Sequence, residues 1–204
     1  MAAARGPYAK GRAKRAEILD AALDVIDREG YASATVKELA DAVGLSQNGL
    51  LHYFGSKDAL FAEILRRRDE VTAVQIDAEH QDFADDLVQR ILLAVDDEAA
   101  APGFTQLSLR VTGEATEPDH AAHDFIHDRY KSVRFVVRDA VTRLQAAGRL
   151  SPDIDPAIAA SLVFAAWDGL RLQWMYDRSI DIRANLLYLL RALGIEETAA
   201  DERG

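Results

Sequence analysis

Apolar residues recur every three to four positions along most of the chain, and the strict alternation typical of half-buried strands is absent from the sequence. This pattern predicts an all-α protein. In the first segment, Ile18, Ala22, Val25 and Ile26 share one helix face, and Gly30 follows as a left-handed cap. The predicted helices span residues 11–29, 35–43, 46–53, 56 into the seventies, 83–97, 105–112, 119–147, 156–176 and 181–193.

Local signals mark the ends of the second and third predicted helices. Thr35 and Glu38 form a capping-box pattern at the start of the second helix. Gly44 suits the positive φ of a tight turn, and Ser46 is a favourable N-cap for a short third helix. Short helices joined by a tight turn in this way predict a helix-turn-helix.

The apolar positions of residues 36–55 agree with that motif. Ala40 is small where the two helices cross, and Gly44 follows four residues later at the turn. The shared mini-core is predicted to contain Leu39, Val43, Leu45, Leu50 and Tyr53 or Phe54. This geometry exposes the N-terminal part of the third helix, which a DNA major groove about 12 Å wide can accommodate.

The charge of the chain is distributed unevenly. The net charge of −10 by itself argues against a nucleic-acid partner, because Lys and Arg drive phosphate binding. Residues 1–57 contain eight Lys and Arg against seven Asp and Glu, whereas residues 58–204 contain sixteen against twenty-seven. A basic arm without acids opens the chain and contains Arg5, Lys10, Arg12, Lys14 and Arg15. We therefore expect a DNA-binding domain at 1–57 and a helical ligand-sensing and dimerisation domain at 58–204.

The exposed side chains of the third helix suit contact with bases and phosphates. Gln47 and Asn48 can each bond bidentately to an adenine edge, and Ser46 can bond a base or a phosphate. Thr35 and Lys57 lie at helix N-termini, where backbone N–H groups and the helix dipole favour an anion. The predicted DNA contacts are Lys10, Arg12, Thr35, Ser46, Gln47, Asn48, His52, Tyr53 and Lys57.

Other features of the composition limit the possible chemistry. The chain contains no cysteine, which excludes disulfides and thiolate sites and fits a reducing compartment. The cations near the start of the sequence are not followed by an apolar run, so we expect neither a signal peptide nor a membrane anchor there, and no later stretch is apolar and long enough to span a bilayer. We expect a cytoplasmic protein with no cofactor, no metal and no membrane partner.

Residues 35–61 closely resemble the TetR family of bacterial transcriptional regulators. The most specific parts are residues 50–54, similar to the end of the family's recognition helix, and residues 56–60, similar to the start of its fourth helix. Residues 167–174, Trp-Asp-Gly-Leu-Arg-Leu-Gln-Trp, resemble the dimerisation helix of a subgroup that includes choline-responsive repressors. The resemblance implies a homodimer on a palindromic operator, usually a repressor that a small ligand releases.

The second domain is expected to form the dimer and the ligand pocket. Two helices from each subunit would form a four-helix bundle at the dimer interface, with Leu162, Val163, Ala166, Leu170, Leu186 and Leu190. A pocket needs apolar lining, and its candidates are Phe104, Leu107, Phe125, Tyr130, Trp167 and Trp174. The small-molecule effector itself is not predicted.

Three alternatives remain open. His120, His123 and His127 fall at i, i+3 and i+7 of the predicted helix 119–147, and would form a transition-metal site in a metal-responsive regulator. A helical enzyme is the second alternative, although the sequence has no phosphate-binding glycine loop, no Gly-x-Ser-x-Gly and no His-Glu-x-x-His. The third is an architectural DNA-binding protein, which no compound would release from DNA.

Overall fold

The computed structural model describes residues 7–79 and 87–196, and all regular structure within them is helical. The periodicity therefore predicted the fold class correctly. A short 3-10 helix covers Tyr31–Ser33. The α-helices are α1 (Pro7–Glu29), α2 (Val36–Ala42), α3 (Gln47–Phe54), α4 (Lys57–Glu79), α5 (Leu87–Ala100), α6 (Pro102–Glu114), α7 (His123–Ala146), α8 (Pro156–Tyr176) and α9 (Ile182–Ala192).

Two helices begin earlier than the sequence predicts, and both begin at a proline. α1 starts at Pro7 and α6 at Pro102, because a proline in the first turn has no N–H to leave unbonded and a φ already suited to a helix. Lys10 therefore lies on α1 together with Arg12, which the predicted helix already contained. Arg5 of the predicted arm and residues 83–86 of the predicted fifth helix lie outside the described residues.

The chain divides into two compact units. The first contains residues up to 73 together with 101–125, and the second contains residues 74–100 together with those from 126 onwards. The first unit is larger than the expected domain 1–57, because α6 packs against α1 and the 3-10 helix. An ion pair of 2.9 Å between Arg67 Nε and Asp20 Oδ1 also joins α4 to α1.

Each unit has an apolar interior of its own. In the first, the predicted inward face of α1 is buried, and the largest fully buried side chains are Ile18, Ile26, Leu39, Leu50, Leu60, Ile64, Leu65 and Leu107. In the second, one cluster includes Leu92, Val141, Val163, Leu190 and Ile195. A further cluster there contains Val95, Ile182 and Leu186, with Trp167 and Trp174 packed against it.

Gly103 lies in the first turn of α6 and closely approaches the backbone of the last turn of α1 and of the residues that follow it. A Cβ atom at this position would lie 2.9 Å from the Ile26 carbonyl oxygen and 3.1 Å from the Tyr31 nitrogen. Backbone atoms cannot rotate away as side chains do, so we expect Gly103→Ala to lower the free energy of unfolding by about 1–3 kcal/mol. Urea denaturation followed by circular dichroism measures this change.

Gly113, on the same helix, is the matched control for this prediction. A Cβ atom there meets nothing within 4 Å. Since alanine is the better helix former, Gly113→Ala should leave the free energy of unfolding unchanged or raise it by up to about 1 kcal/mol. An equal change in the free energy of unfolding for Gly103→Ala and Gly113→Ala would contradict the close approach of α6 to the end of α1.

Candidate nucleic-acid interface and ligand region

α2 and α3 form the predicted helix-turn-helix, and short-range hydrogen bonds define its ends. The Thr35 hydroxyl accepts a hydrogen bond from the Glu38 N–H at 3.2 Å, and the Ser46 hydroxyl accepts one from the Gly49 N–H at 3.1 Å. Gly44 makes the turn at a φ of +67°. Both predicted N-caps and the predicted turn are therefore confirmed.

Gly49 lies close to the serine that caps α3. A Cβ atom at this position would lie 3.2 Å from the Ser46 hydroxyl oxygen, which is the cap of the helix. A side chain would crowd the hydroxyl that accepts the Gly49 N–H. The serine side chain can adjust, and Glu38 carries a Cβ atom at the same position behind the Thr35 cap, so the cap itself does not require a glycine. Glycine costs a helix about 1 kcal/mol relative to alanine.

α3 buries one face and exposes the polar side chains of its first turn. Leu50 and Phe54 are buried, whereas the predicted contacts at its N-terminal end are exposed, namely Ser46, Gln47 and Asn48. His52 is also exposed, and Tyr53 is half-buried. The remaining predicted contacts, Lys10, Arg12, Thr35 and Lys57, are exposed as well. This surface can offer uncharged donors and acceptors to base edges and cations to phosphates.

Two residues of the predicted basic arm form contacts inside the first unit. Lys14 Nζ donates to the Val43 carbonyl at 3.2 Å and pairs with Glu17. Arg15 Nη1 donates to the Tyr53 carbonyl at 3.3 Å. The sequence did not predict either contact. A basic stretch shows that a cation is present, but it does not show which distant carbonyl oxygen the cation binds.

Three consecutive arginines of α4 connect it to three other segments of the first unit. The Arg66 guanidinium lies 4.9 Å from the ring centroid of Phe125, and that of Arg68 lies 5.0 Å from the centroid of Phe104. Arg67 pairs with Asp20 of α1. α4 is therefore held against α1, α6 and the start of α7.

A polar network around the buried Arg171 joins α5, α7 and α8 in the second unit. Arg171 is 4% exposed, with its Nε 2.5 Å from Glu98 Oε2 and its Nη1 3.3 Å from Asp168 Oδ1. Asp168 Oδ2 accepts a hydrogen bond from the Tyr130 hydroxyl at 2.5 Å. Sequence reasoning missed Glu98, Asp168 and Arg171. An arginine within the apolar pattern of α8 was the available signal.

Aromatic rings border this network. The Tyr130 ring packs edge-on against Phe164, with centroids 4.7 Å apart, and the Arg171 guanidinium lies 5.9 Å from the Trp167 ring centroid. The network contains two carboxyl groups and one guanidinium, so its formal charge is negative when both carboxyl groups are ionised. Rings beside excess negative charge are chemically suited to an organic cation.

Tyr130 should make the stability of the protein depend on alkaline pH. Burial, followed by the hydrogen bond to Asp168 and the charge of Asp168, raises the pKa of Tyr130 from 10.0 to about 12. Because the folded state favours the neutral phenol, the stabilisation is complete below pH 10 and is lost as the pH rises through about 12. Between pH 10 and about 12, the free energy of unfolding of the Tyr130→Phe variant should therefore fall less than that of the wild type. Urea titrations at a series of pH values measure the difference, and parallel curves for the two proteins would contradict it.

The six ligand-pocket candidates fall in both units. Phe104 and Leu107 are buried in the interior of the first unit, and their role in lining a pocket stays a prediction. Phe125 is half-buried beside Arg66. In the second unit, Tyr130 belongs to the polar network, and Trp167 and Trp174 are half-buried against an apolar cluster. All six remain candidates for a ligand pocket.

The six dimer candidates also separate by burial. Val163, Leu186 and Leu190 lie in the interior of their own protomer, where Leu186 is 0% exposed, so they have no surface to offer a partner. Ala166 and Leu170 are half-buried against the same protomer. Leu162 is 50% exposed. The prediction was therefore wrong for the three buried residues, because apolar periodicity does not show which chain covers a face.

The three histidines do not form the predicted metal-binding face. α7 begins at His123 and not at residue 119, because the turns around Pro118 delay it, and His120 therefore precedes the helix. The His120 Nδ1 accepts the Ala122 N–H at 3.1 Å, and the His123 Nδ1 lies 2.9 Å from the Ala115 carbonyl oxygen. Across 7–79 and 87–196, no group of three His, Asp or Glu side chains is arranged to hold a metal ion.

The helices within the described ranges are all too short or too polar to cross a membrane.

Two short helices around a glycine turn, with the polar first turn of the second helix exposed, define a helix-turn-helix DNA-binding protein. The family model of bacterial regulatory proteins of the tetR family matches residues 18–64. The model of the C-terminal domain of BetI-type transcriptional repressors matches residues 83–194, more than half of the chain. The chain therefore belongs to the TetR family of bacterial transcriptional regulators.

Individual relatives are similar over different lengths. The HTH-type transcriptional regulator RutR of Escherichia coli is 36% identical over 72 residues, which are 35% of this chain and 34% of RutR. The match thus spans about a third of that relative. The HTH-type transcriptional repressor Rv1474c of Mycobacterium tuberculosis is 29% identical over 161 residues, covering 78% of this chain and 80% of its own length.

Solved structures show the same fold. A TetR transcription regulator from Haloarcula marismortui has a TM-score of 0.71 at 18% identity, over 89% of this chain and 98% of its own. A regulator from Saccharomonospora viridis, solved in complex with choline, has a TM-score of 0.64 at 24% identity, over 88% of this chain and 96% of its own. At these identities the likeness shows the fold alone.

Proposed function

We propose that this TetR-family regulator binds a palindromic operator as a homodimer and represses transcription until a small molecule releases it. The observation that carries the proposal is the exposed polar first turn of α3, with Ser46, Gln47 and Asn48, on a helix held by its cap and by a buried face. Family membership supports it, because operator binding, dimerisation and ligand-responsive repression are typical of TetR regulators. In this proposal the chain acts in the cytoplasm and catalyses no reaction.

The proposed contacts have two separate roles on DNA. Gln47 and Asn48 read base edges in the major groove, because their amides match the donor and acceptor pair of adenine. Thr35 and Lys57, at the N-terminal ends of α2 and α4, bind phosphates. Lys10 and Arg12, exposed on α1, supply further phosphate contacts, while Ser46, His52 and Tyr53 border the base-reading side chains.

The proposed dimer uses the exposed apolar side chains of α8 and α9. These are Ile158, Leu162, Leu172, Tyr176 and Tyr188. Large apolar side chains gathered on two helices and left in water are typical of a protein interface. A twofold symmetric dimer places two recognition helices on half-sites about one DNA turn apart.

The proposed effector is a small organic cation bound beside the polar network of the second unit. Glu98 and Asp168 supply the negative charge, while Tyr130 and Trp167 supply aromatic surface. Aromatic rings attract quaternary ammonium groups through the negative face of the π system. The choline in the Saccharomonospora viridis regulator makes choline the first compound to test.

Release requires the ligand to favour a conformation that fits the operator poorly. α4 begins at Lys57 beside α3 in sequence and continues to Glu79, so it spans residues of both units. A shift of α4 would be transmitted to the first unit through Arg66, Arg67 and Arg68. A useful switch needs a coupling free energy of about 1–3 kcal/mol or more.

Operator binding can be tested by fluorescence anisotropy of labelled DNA from the upstream region of the gene, titrated with the full chain. We expect selective binding with two chains per site. If that region fails, selection from random DNA with the same protein identifies the operator. Failure to enrich any sequence would contradict the proposed function.

Effector release can be tested by adding choline to the protein–operator complex. We expect a fall in anisotropy for the wild type and a weaker fall for Glu98→Gln, which removes one negative charge from the network. Asp139→Asn is the matched control, because Asp139 forms an exposed pair with Arg143 on α7, in the second unit but outside the network. Release by choline in both variants to the wild-type extent would contradict the proposed ligand site. If choline does not change operator binding by the wild type, choline is rejected as the effector. Other small organic cations are then tested in the same way.

A further inference from the structure

We infer that Arg15 is a positioning residue for operator recognition, which orients α3 from behind without touching DNA. The inference rests on the proposed operator-binding surface of α3. Arg15 lies in the basic part of α1, where a phosphate contact would be the ordinary interpretation.

The guanidinium of Arg15 connects three helices. Its Nη1 donates a hydrogen bond to the Tyr53 carbonyl at 3.3 Å, and its Nη2 lies 3.2 Å from Glu63 Oε2 on α4. Its Cζ atom lies 4.8 Å from the ring centroid of Phe54, the last residue of α3. One side chain of α1 therefore contacts the end of α3 and the first half of α4.

Arg15 binds α3 at its C-terminal end, where backbone carbonyl groups need hydrogen-bond donors from outside the helix. The last carbonyls of a helix have no N–H within the helix to bond, and a cation there also interacts favourably with the helix dipole. Tyr53 is in the last turn of α3, and the neighbouring Phe54 is buried. The charged hydrogen bond and the packing of Phe54 therefore fix the same end of the recognition helix.

Lys14 makes the corresponding contact for α2. Its Nζ donates to the carbonyl of Val43, which is the C-cap residue of α2, at 3.2 Å. Consecutive residues of α1 thus hold the C-terminal ends of both helices of the motif. We expect these contacts to fix the orientation of α3. The orientation of α3 in turn sets the direction in which Gln47 and Asn48 face the DNA.

These contacts leave Arg15 poorly placed to serve a phosphate as well. Both of its terminal nitrogens have partners inside the protein, and Glu63 places a negative charge beside them. Lys10 and Arg12 on the same helix are exposed, and they suit phosphate contact better. Since the Arg15 side chain is still 41% exposed, a binding experiment must separate the two roles.

The dependence of binding on salt separates them. We propose measuring the affinities of the wild type, Arg15→Gln and Arg12→Gln for the operator and for unrelated DNA over a series of salt concentrations. Arg15→Gln should weaken operator binding on the order of tenfold, with unchanged affinity for unrelated DNA and an unchanged slope of log K against log salt. Arg12→Gln should weaken binding to both DNAs and reduce the slope by about 0.9 for each phosphate that the protein no longer neutralises.

Arg15→Lys gives a second test that does not depend on removing the charge. A lysine can serve a phosphate as a point charge, but it cannot replace the paired contacts to Tyr53 and Glu63. We therefore expect Arg15→Lys to recover only part of the operator affinity at an unchanged slope. Full recovery by lysine, or a reduced slope for Arg15→Gln, would overturn the positioning role.

Two further outcomes are also distinguishable. Circular dichroism establishes that each variant is folded at the temperature of the titration. Equal losses on the operator and on unrelated DNA, at an unchanged slope, would show a general loss of structure and overturn the inference. A wild type that binds no sequence selectively would reject the proposed function itself, and this inference with it.

Discussion

Replacing Gln47 and Asn48 together with alanine is expected to abolish the sequence selectivity of DNA binding. Both side chains are exposed in the first turn of α3, where they can reach base edges. A good bidentate pair discriminates against the wrong base by about 1–3 kcal/mol, and a symmetric dimer loses each pair twice. The total, roughly 4 kcal/mol or more, approaches the gap of about 4–10 kcal/mol between specific and non-specific binding.

The measurement is fluorescence anisotropy with the operator and with a scrambled duplex of the same length. The double variant should bind both with the wild-type affinity for the scrambled duplex. Its salt slope should equal that of the wild type on that duplex, since neither side chain is charged. Lys57→Gln is the matched control, and it should weaken binding to all sequences alike and reduce the slope. Retained selectivity in the double variant would contradict base reading by these two residues.

The helix-turn-helix was predictable because every signal for it is local. Thr35 and Ser46 cap helices through hydrogen bonds to N–H groups three residues away, and Gly44 adopts the φ that its lack of a side chain allows. Such interactions depend on short segments of chain and little on the rest of the fold. The caps and the turn were therefore predicted correctly from the sequence.

Contacts between distant segments were not predictable in this way. Arg171 pairs with Glu98, which is 73 residues away in the chain, and Arg15 bonds a backbone carbonyl 38 residues away. A single sequence shows that an arginine lies in an apolar pattern but does not name its partner. The predicted His120, His123 and His127 face failed for a local reason, since turns around Pro118 delay the start of α7.

The buried and exposed leucines of the last two helices look alike in sequence. Leu162 and Leu186 both fit the apolar period of a helix. Periodicity identifies an apolar face, but the protomer's own side chains cover Leu186 and leave Leu162 half exposed. The dimer face that the sequence suggests therefore divides into a core part and a part that still faces water.

Leu162→Glu and Leu186→Ala are expected to have large and different effects. Leu162 is exposed on α8, so a glutamate there should leave the interior of the protomer unchanged. In an isologous interface the new charge appears on both subunits and would be removed from water twice, which opposes dimerisation. Leu186 is fully buried, and its truncation should lower the free energy of unfolding by about 2–5 kcal/mol per protomer.

Mass and unfolding measurements distinguish these effects. Sedimentation velocity should give a monomer for Leu162→Glu and a dimer for the wild type, with a matching fall in operator affinity because each monomer binds a single half-site. The Leu186→Ala variant should have a lower midpoint urea concentration of unfolding than the wild type at every protein concentration. A Leu162→Glu protein that stayed dimeric would move the interface away from this face of α8. The exposed pair Phe135 and Val136 on α7 would then be the next surface to test.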